Sequence, residues 1–518
     1  MRPVFNSAQA RRADEIMQLE YGYLGILLME TAGRKAAHKI RQLYPHASRF
    51  IVVAGKGCNG GDGLVIARYL RRMGKDLFIL LTHHPDKLSS LSRIQYDILT
   101  KYGLTCHILS PDNLRLLQAY AESDPKPILI DALIGVGLEQ TLRPPLNSLI
   151  ELLRELHLPT VAVDLPSGLS GDTGALINEP LRCEHTITFQ TAKICHLVTP
   201  AALYCGKVHV MDIGMYPEVI ERIGTKTFHV GKASLRSYLP ERLPDAHKGT
   251  FGHALVIGGS RGKGGAAALA ALAALRVGAG LVTAMVPGSA TPSFQRHALS
   301  PMSLPYGDIQ VPFLNETAAL WAKPHLQQKN AIAIGPGLGN TLDTQGFLKE
   351  LLLHLHAPCV LDADALNILS EREELWERVP KGSIITPHPG EAARLLGTTS
   401  ENIQARRLES AQRLSQKREV IVVLKGANPI VTTPRGESYL FSFQEPALAK
   451  AGSGDVLTGM IVGFMAQGIP PLRAALLSIY VQRLAARLLL RRIHAASLTA
   501  ALLIQSLGKA LKKLQEGK

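Results

Sequence analysis

The sequence predicts an α/β protein made of two doubly wound domains, and three observations support this fold class. Short β-branched runs alternate with helical patterns, which is typical of parallel sheets covered by helices on both faces. The alternation lapses once, at residues 214–226, and then resumes. At 518 residues, the chain is also longer than one hydrophobic core usually supports. We therefore expect domains at residues 1–220 and 226–515, with the lapse as their linker.

The strands are predicted from short apolar runs that are bounded by turn residues. In the first half they fall at residues 50–54, 77–82, 127–132, 160–164, 185–189 and 208–213, with a helix at 64–72 after the first. In the second half they fall at 254–257, 281–286, 331–334, 359–362, 383–386, 420–424 and 430–432. The alanine-rich run at 266–287 is interrupted by Arg276 and by glycines, so it predicts a buried helix followed by a strand, and no membrane span. The halves show no sequence repeat, so we expect different folds with separate sites.

The composition of the chain indicates which ligands and which cellular compartment to expect. The net charge of +15 suggests anionic ligands, but the basic residues are dispersed and only 5% of residues are aromatic, so no nucleic-acid function is expected. Six cysteines without CxxC spacing predict neither a disulfide framework nor a zinc site. The first 17 residues carry Asp14, Glu15 and three arginines, which is not a signal peptide. These features together predict a cytoplasmic location.

The most informative segment is Ala-Gly-Ser-Gly-Asp-Val-Leu-Thr-Gly at residues 451–459. Its glycines allow close backbone contact with a ligand, and the free amides of a helix start suit a phosphate group. Asp455 stands in that first turn, where an anion would otherwise bind. We expect it to take a proton from a hydroxyl that receives a phosphoryl group. The alternative is a carboxylate that only complements the helix dipole.

Polar residues follow several strands of the first half, at the sheet edge where ligands of α/β proteins bind. A glycine-rich turn occupies residues 55–63, Asp131 ends another strand, and Asp164 and Ser167 follow a third. With Asn59, these side chains form a set of oxygen donors that suits a hard cation and leaves one carboxylate for acid–base chemistry. A capping or turn role is the alternative for each aspartate taken singly.

Nearly every strand of the second half also ends in a glycine, aspartate, histidine or lysine motif. These motifs lie at residues 258–260, 264–266, 335–339, 362–367, 386–391 and 425–429. His388 lies between two prolines, which hold it stiffly and favour a positioned ligand contact over a mobile surface histidine.

These motifs resemble those of two enzyme families. The first half is similar to the NAD(P)H-hydrate epimerases through the glycine loop at 55–63, Asp-Ala-Leu-x-Gly-x-Gly at 131–137 and Val-Asp-x-Pro-Ser-Gly at 163–168. The second half resembles the nucleotide-dependent NAD(P)H-hydrate dehydratases of the ribokinase-like superfamily through the six motifs above. The resemblance covers nearly the whole chain. It implies a Rossmann-like epimerase domain fused to a ribokinase-like dehydratase domain, in an enzyme that repairs hydrated NADH and NADPH.

For the first half, the resemblance implies that Asp164 is the base for interconversion of the R and S hydrates. It implies a potassium ion held by Asn59, Asp131 and Ser167. The implied substrate contacts are Cys58, Asn59, Gly60, Gly61, Asp62, Gly135, Val136, Gly137, Leu138, Glu139, Gln140, Thr141 and Asp164. The sequence departs from the family at Cys58, where asparagine is usual, and at Val136, where threonine is common. Each change removes a side chain that could hydrogen-bond the substrate.

For the second half, the resemblance implies that Asp455 is catalytic and that the S hydrate is dehydrated. The implied hydrate contacts are Ala266, Gly337, His388 and Asp455, and the implied nucleotide contacts are Lys425, Gly426, Ala427, Asn428, Pro429 and Gly454. Fusion of the halves favours ADP over ATP as co-substrate, and magnesium accompanies the nucleotide. A homo-oligomer, in this family a tetramer, is also implied.

Two other interpretations remain open. The second half could be a ribokinase-like kinase of another small molecule, since its Gly-Ser-Gly-Asp site suits any hydroxyl acceptor. The first half could be a binding module without catalysis, although Asn59, Asp131, Asp164 and Ser167 are all retained. Choice between NADH and NADPH hydrates has no marker in the sequence.

Overall fold

A computed structural model of the chain describes residues 1–138 and 140–516. It divides into two compact units, Arg2–His229 and a second unit from Val230 onward. Within the described residues, no helix combines the length and apolar content needed to cross a bilayer.

The first unit alternates strands and helices as the sequence predicts. Its strands are β1 Arg2–Phe5, β2 Arg49–Ala54, β3 Asp76–Leu81, β4 His107–Ile108, β5 Ile128–Ala132, β6 Thr160–Val163, β7 His185–Phe189, β8 Ala192–Lys193, β9 Lys207–Met211 and β10 Thr227–His229. Its α-helices are α1 Ser7–Leu19, α2 Gly25–Leu43, α3 Cys58–Arg72, α4 Ser90–Lys101, α5 Pro111–Ala121, α6 Leu146–Glu155 and α7 Pro217–Ile223.

Seven of these strands form one parallel sheet in the order β4-β3-β2-β5-β6-β7-β9. The inner strands are buried on both faces, which explains their continuous apolar sequences. The chain leaves β2 toward β3 on one side, while β5 lies on the other. This reversal of strand order opens a crevice beyond the carboxyl ends of β2 and β5, where ligands of such sheets bind.

The second unit contains the remaining elements. Its strands are β11 His253–Ile257, β12 Leu281–Pro287, β13 Met302–Tyr306, β14 Ala331–Ile334, β15 Val360–Leu361, β16 Ile384–Ile385, β17 Ile421–Leu424, β18 Ile430–Thr432 and β19 Ser438–Leu440. Its α-helices are α8 Lys232–Arg236, α9 Gly264–Arg276, α10 Thr291–His297, α11 Glu316–Leu326, α12 Leu342–Leu352, α13 Asp364–Glu371, α14 Pro389–Leu396, α15 Ser400–Ala405, α16 Arg407–Arg418, α17 Ser453–Ala466, α18 Pro471–Leu489 and α19 Ala500–Gln515.

The sheet of this unit has the order β13-β12-β11-β14-β15-β16-β17-β18-β19. It is parallel from β13 to β17, and β18 and β19 are antiparallel additions. Strand order reverses between β11 and β14, so this sheet has its own crevice. Behind it, α9 and α17 pack closely: a Cβ on Gly459 would lie 2.0 Å from the carbonyl oxygen of Ala270. The alanine-rich helix and the strand after it are confirmed.

Two predictions of local structure are wrong. The helix predicted at 64–72 is present but begins earlier, at Cys58, because the glycines at 60, 61 and 63 allow its first turns to pack closely against Gly55, Met29 and Ala132. The predicted linker at 214–226 contains α7, whose Val219 is buried in an apolar cluster with α1. Proline at the first position of α7 starts this helix, and Gly224 ends it in the left-handed conformation.

Candidate active sites

A cavity of about 680 Å³ lies beyond the carboxyl ends of β2 and β5. Close backbone packing forms its floor: a Cβ on Gly55 would lie 1.9 Å from the carbonyl oxygen of Leu133, and one on Gly60 would lie 1.9 Å from that of Gly55. Only glycine fits at these positions. The lining includes the first turn of α3, the loop after β5, and acidic groups from three different elements.

Asp131 and Ser167 lie beneath this cavity and are fully buried. Ser167 donates from Oγ to Asp131 Oδ1 at 2.6 Å and from its backbone amide to Oδ2 at 2.8 Å. Burial raises the pKa of Asp131, and the hydrogen bonds from Ser167 oppose that rise.

Asn59 borders the same region from the first turn of α3. Its side-chain oxygen and nitrogen are buried and have no hydrogen-bond partner among the described residues. A Cβ on Gly135 would lie 3.3 Å from Asn59 Cβ, so the amide packs against the loop after β5. A buried amide without a partner is costly, and this one is suited to a bound ligand.

Asp164 also lines the cavity and lies directly after β6. Its φ of 65° is in the left-handed region, which aspartate tolerates better than most residues. Its Oδ1 accepts hydrogen bonds from Lys193 Nζ at 2.5 Å and from Thr188 Oγ1 at 2.8 Å. Burial acts to raise the pKa of Asp164, but Lys193 and its hydrogen bond hold the pKa below the ordinary value. Asp164 is therefore a carboxylate near neutral pH.

Two further carboxyl groups line the cavity. Asp62 belongs to α3 and Asp14 to α1. Burial, followed by the charge of Asp164, raises the pKa of Asp62 well above its usual value. Burial raises the pKa of Asp14 to about 6, with Lys193 opposing and Asp164 adding to the rise. The cavity thus combines one ionised carboxylate with carboxyl groups that hold protons more readily.

The other residues predicted for this site divide by position. Cys58, Asn59, Asp62, Gly135, Val136, Gly137, Leu138 and Asp164 line the cavity. Gly60 and Gly61 lie behind it, against Gly55 and Met29 respectively. Gln140 and Thr141 are exposed. Glu139 lies outside the described residues.

The second site is centred on the start of α17. Gly452 precedes the helix with a φ of 85°, which places Gly454 and Asp455 in the first turn. The Ser453 amide donates to Lys450 O at 3.2 Å, whereas the amides of Gly454 and Asp455 have no acceptor among the described residues and are free for a ligand. Burial, with the charge of Asp362, raises the pKa of Asp455 to about 7, and Lys425 opposes this rise. Asp455 can therefore gain and lose a proton near neutral pH.

Lys425 and Asp362 form a partly buried ion pair beside that helix start. Lys425 Nζ lies 2.9 Å from Asp362 Oδ1 and 3.6 Å from Glu391 Oε2. Thr458, one turn into α17, donates to Asp362 Oδ2 at 2.7 Å. A Cβ on Gly454 would lie 3.5 Å from Lys425 Nζ, so the ammonium and the helix start face the same space.

His388 forms the N-cap of α14. Its Nδ1 accepts hydrogen bonds from the amides of Gly390 at 3.0 Å and Glu391 at 3.4 Å. Nε2 is 3.3 Å from Glu391 Oε1, and the side chain is half exposed. Burial, with the charge of Lys425, lowers the pKa of His388. The ring is thus held by the backbone, neutral, with Nε2 as its donor.

Ala266 and Gly337 lie together in the crevice between β11 and β14. Gly337 has a φ of 66°, and a Cβ there would lie 3.0 Å from Ala266 Cβ and 2.7 Å from Lys263 O. Asp364 borders this crevice and accepts from the Gly339 amide at 2.8 Å. The tight packing leaves a surface of small residues where a flat ring could lie.

The predicted nucleotide loop at 425–429 is fixed from below. Arg407 is 1% exposed, and its Nη2 donates to Lys425 O and Asn428 O, each at 3.1 Å. Asn428 Nδ2 in turn donates to Phe441 O and Phe443 O, each at 3.1 Å. The side chain of Asn428 therefore holds the loop in place.

Sequence reasoning missed several of these groups. Asp362, directly after β15, and Glu391, in the first turn of α14, were visible inside their motifs. Asp14, Thr188, Lys193 and His196 lie far along the chain from the first-half motifs, and no local spacing marks them.

Comparison with known proteins agrees with this geometry. Residues 26–195 match the family described as YjeF-related protein N-terminus, and residues 254–509 match NAD(P)H-hydrate dehydratase. The bifunctional NAD(P)H-hydrate repair enzyme Nnr of Moorella thermoacetica is 34% identical over 517 residues, which are 98% of this chain and 97% of that protein. The chain belongs to this family of bifunctional NAD(P)H-hydrate repair enzymes.

Another family member is similarly close. The repair enzyme Nnr of Salinibacter ruber is 37% identical over 496 residues, covering 92% of this chain and 90% of that protein. Among solved structures, the ADP/ATP-dependent NAD(P)H-hydrate dehydratase of Bacillus subtilis, co-crystallised with ATP and Mg²⁺, is 31% identical with a TM-score of 0.48. It covers 55% of this chain and 97% of its own. Membership in the family confirms the resemblance found in the sequence.

Proposed function

We propose that the first unit epimerises the R and S hydrates of NADH and NADPH, and that the second dehydrates the S form at the expense of ADP. The observation that carries the proposal is the first turn of α17, where Asp455 and free amides lie beside the Lys425–Asp362 pair. This arrangement supplies a base for a hydroxyl and positive charge for a phosphoryl group at one point.

In the second site, Asp455 takes the proton from the hydroxyl group of the hydrate, and the hydroxyl oxygen attacks the terminal phosphorus of ADP. The bond from that phosphorus to the bridging oxygen breaks, and AMP leaves. Lys425 and the first-turn amides stabilise the charge on the transferred phosphoryl group. The phosphate then departs from the ring carbon, and loss of a proton from the adjacent carbon restores the dihydropyridine. Ala266, Gly337 and His388 would contact the hydrate.

The nucleotide would lie along residues 425–429 and against Gly454. ADP is preferred because the two halves are fused in one chain. ATP is the alternative, because neither loop chemistry nor charge distinguishes the two nucleotides. Among the described residues there is no group of three His, Cys, Asp or Glu side chains that could hold a metal ion. Magnesium would accordingly be held mainly by the nucleotide's phosphates and water, as is common for this ion.

In the first site, the hydroxyl-bearing ring carbon loses water and regains it on the opposite face. A protonated carboxyl group, Asp62 or Asp14, gives its proton to the departing hydroxyl, and the ring nitrogen stabilises the resulting cation. Asp164 then removes a proton from the incoming water. Asp164 releases this proton to solvent, and the donor carboxyl group takes one up from solvent, so the enzyme is restored and the product is the other epimer.

Potassium fits the residues proposed to hold it. Asn59 Oδ1 is buried without a partner, and Asp131 is a fully buried carboxyl group bonded only to neutral donors in the described structure. With Ser167, they form a set of oxygen ligands that a hard monovalent cation favours. Such an ion would neutralise Asp131 and fix the floor of the cavity.

The direct test supplies the purified protein with hydrated NADH and ADP and follows recovery of reduced-nicotinamide absorbance. Recovery of the R hydrate as well as the S hydrate would require both units. Omitting the nucleotide should abolish recovery. If another hydroxyl compound is phosphorylated while hydrated NADH stays unchanged, the second unit is a kinase of a different substrate.

The proposal also covers the location, oligomeric state and partners of the protein. The protein would be a cytoplasmic homo-oligomer, with a tetramer expected from the family, and would have no nucleic-acid or membrane partners. Size-exclusion chromatography coupled to light scattering would measure the oligomeric state. Division of activities between residues 1–220 and 226–515 could be tested by expressing each unit alone.

A further inference from the structure

Lys193 is the one cation that the first-site cavity places against its ionised carboxylate in the described residues. It belongs to β8, lines the cavity and is only 4% exposed. Its Nζ is 2.5 Å from Asp164 Oδ1, 2.8 Å from Thr188 Oγ1 and 3.3 Å from Phe189 O. An ammonium group has three N–H donors, so these three acceptors occupy all of them.

This saturation decides what Lys193 can do. No N–H remains for the substrate, so Lys193 does not donate a proton to the hydroxyl. Thr188 also donates to Asp164 Oδ1, so that oxygen accepts two hydrogen bonds. Within the described chain, Asp164 Oδ2 accepts none. The free oxygen is therefore the one that can act on water.

The side chain of His196 links the backbones of Lys193 and Asp164. His196 accepts from the Lys193 amide through Nδ1 at 3.0 Å, and its Nε2 donates to the Asp164 carbonyl oxygen at 2.9 Å. The Asp164 amide donates to Ile187 O at 2.8 Å. These contacts hold the left-handed backbone of Asp164, so both the carboxylate and its turn are fixed relative to β8.

The titratable groups facing the pair come from three other elements. They are Asp14 of α1, Asp62 of α3 and His196 of the turn after β8, which is neutral in the hydrogen-bonding pattern above. Lys56 and Arg11 also line the cavity, but no ion pair or hydrogen bond in the described residues joins either of them to the three carboxyl groups. Without Lys193, these carboxyl groups would therefore lie in one cavity with no cation paired to them. Ionising Asp164 would then cost more, because like charges at short range oppose each other.

We propose that Lys193 is a positioning residue of the epimerase reaction, which holds Asp164 ionised and directs its Oδ2 toward the reacting water. This inference rests on the proposed epimerase function. It assigns the proton acceptor to Asp164 alone and the proton donor to the Asp62 and Asp14 side of the cavity. The transferred proton never resides on Lys193.

The test measures epimerisation by full-length Lys193→Met, whose side chain keeps the volume and loses the charge. We expect kcat to fall about 100-fold, with KM changed less than about threefold. The acid limb of the kcat/KM profile should move to higher pH, since Asp164 loses its cation. Lys101→Met, on the exposed face of α4, is the matched control and should behave as wild type.

Two further variants keep the inference testable if Lys193→Met folds poorly. Methylamine should restore part of the activity of Lys193→Ala, because the cavity beside Lys193 admits a small cation. Thr188→Val, which removes one hydrogen bond from Oδ1, should lower kcat by about fivefold to tenfold and shift the limb in the same direction. An unshifted pH profile in both Lys193→Met and Thr188→Val overturns the inference.

The dehydratase activity of the same chain separates an effect confined to the first unit from a general loss of active protein. Every variant is assayed on pure S hydrate with ADP, which needs only the second unit. If wild type does not epimerise, the proposed function itself fails. If wild type epimerises and Lys193→Met matches it, only the role of Lys193 fails.

Discussion

Lys425 Nζ lies 2.9 Å from Asp362 Oδ1, and this ion pair sets the electrostatics of the second site. Burial acts to raise the pKa of Asp362, but the ammonium group holds it below its ordinary value. Asp455 has no ion-pair partner among the described residues, and burial raises its pKa to about 7. Two aspartates of one site therefore differ in protonation: Asp362 remains charged, and Asp455 can accept and release a proton.

Replacing the base should abolish dehydration. Asp455→Asn removes the proton acceptor but keeps the first-turn amides, so we expect kcat to fall by about 100-fold to 10,000-fold with nucleotide binding largely retained. Steady-state kinetics and nucleotide titration measure both. Asp343→Asn makes the same change in the exposed first turn of α12 and should have no effect. Turnover near the wild-type value in Asp455→Asn would exclude this residue as the base.

The dehydratase should lose activity in acid as Asp455 takes up a proton. The active form is the carboxylate, so kcat/KM should rise with pH through an apparent pKa of about 7. Lys425 lowers this pKa, so Lys425→Met should move the limb to higher pH. The profile is measured at constant ionic strength with saturating nucleotide. A limb that moves to lower pH would mean that Lys425 is not the cation facing Asp455.

Sequence reasoning located the strand ends but could not orient the side chains on them. Asp131 and Ser167 were predicted to lie together, and the structure brings them to 2.6 Å. Asp164 was placed with them at the same sheet edge, and the structure pairs its carboxylate with Lys193. Motif spacing defines which sheet edge a residue occupies, whereas the direction of its side chain depends on the turn that follows.

Long-range partners had no signal at all. Lys193 meets Asp164 across 29 residues, and Asp14 reaches the cavity from the first helix. The start of α3 was misplaced for a different reason. Glycines usually weaken helices, so the pattern favoured a loop at 58–63. Tertiary contact reverses this preference, because Gly60 and Gly61 allow close packing that side chains would prevent.

The two activities should separate by mutation. Asp164→Ala should stop interconversion of R and S hydrates and leave dehydration of the S form unchanged. The reason is that Asp164 and Asp455 belong to different compact units. Chromatographic separation of the epimers follows the first activity, and nicotinamide absorbance follows the second. Asp112→Ala on the exposed start of α5 is the control. Loss of activity on pure S hydrate would indicate a shared site or a damaged fold.

The cysteine that replaces the usual asparagine should have little effect. Cys58 is the first residue of α3 and lines the cavity, and burial with the charge of Asp62 raises the pKa of its thiol. Because such loops bind anions mainly through backbone amides, we expect Cys58→Asn to change epimerase kcat/KM by less than about twofold. A gain of about twofold to tenfold, with the parent thiol shown to be unmodified, would mean that the asparagine amide bonds the substrate.

Two glycines of α17 should respond oppositely to alanine. At Gly454 a Cβ would meet no atom closer than Lys425 Nζ at 3.5 Å, so Gly454→Ala fits the fold and projects into the space proposed for phosphate. Helix propensity favours alanine by up to about 1 kcal/mol, so thermal stability should not fall. The KM for nucleotide should nevertheless rise by at least about tenfold, because the methyl group displaces a phosphate oxygen.

Gly459 provides the contrast within the same helix. A Cβ there would lie 2.0 Å from Ala270 O, a backbone atom that cannot rotate away. Gly459→Ala should therefore force α9 and α17 apart and lower the free energy of unfolding by about 1–3 kcal/mol. Calorimetry measures stability, and ADP-dependent dehydration measures the site. Normal nucleotide binding by Gly454→Ala, even with lowered stability, would contradict the prediction. It would mean that the added methyl group excludes no phosphate oxygen, so that the phosphate does not lie at this helix start.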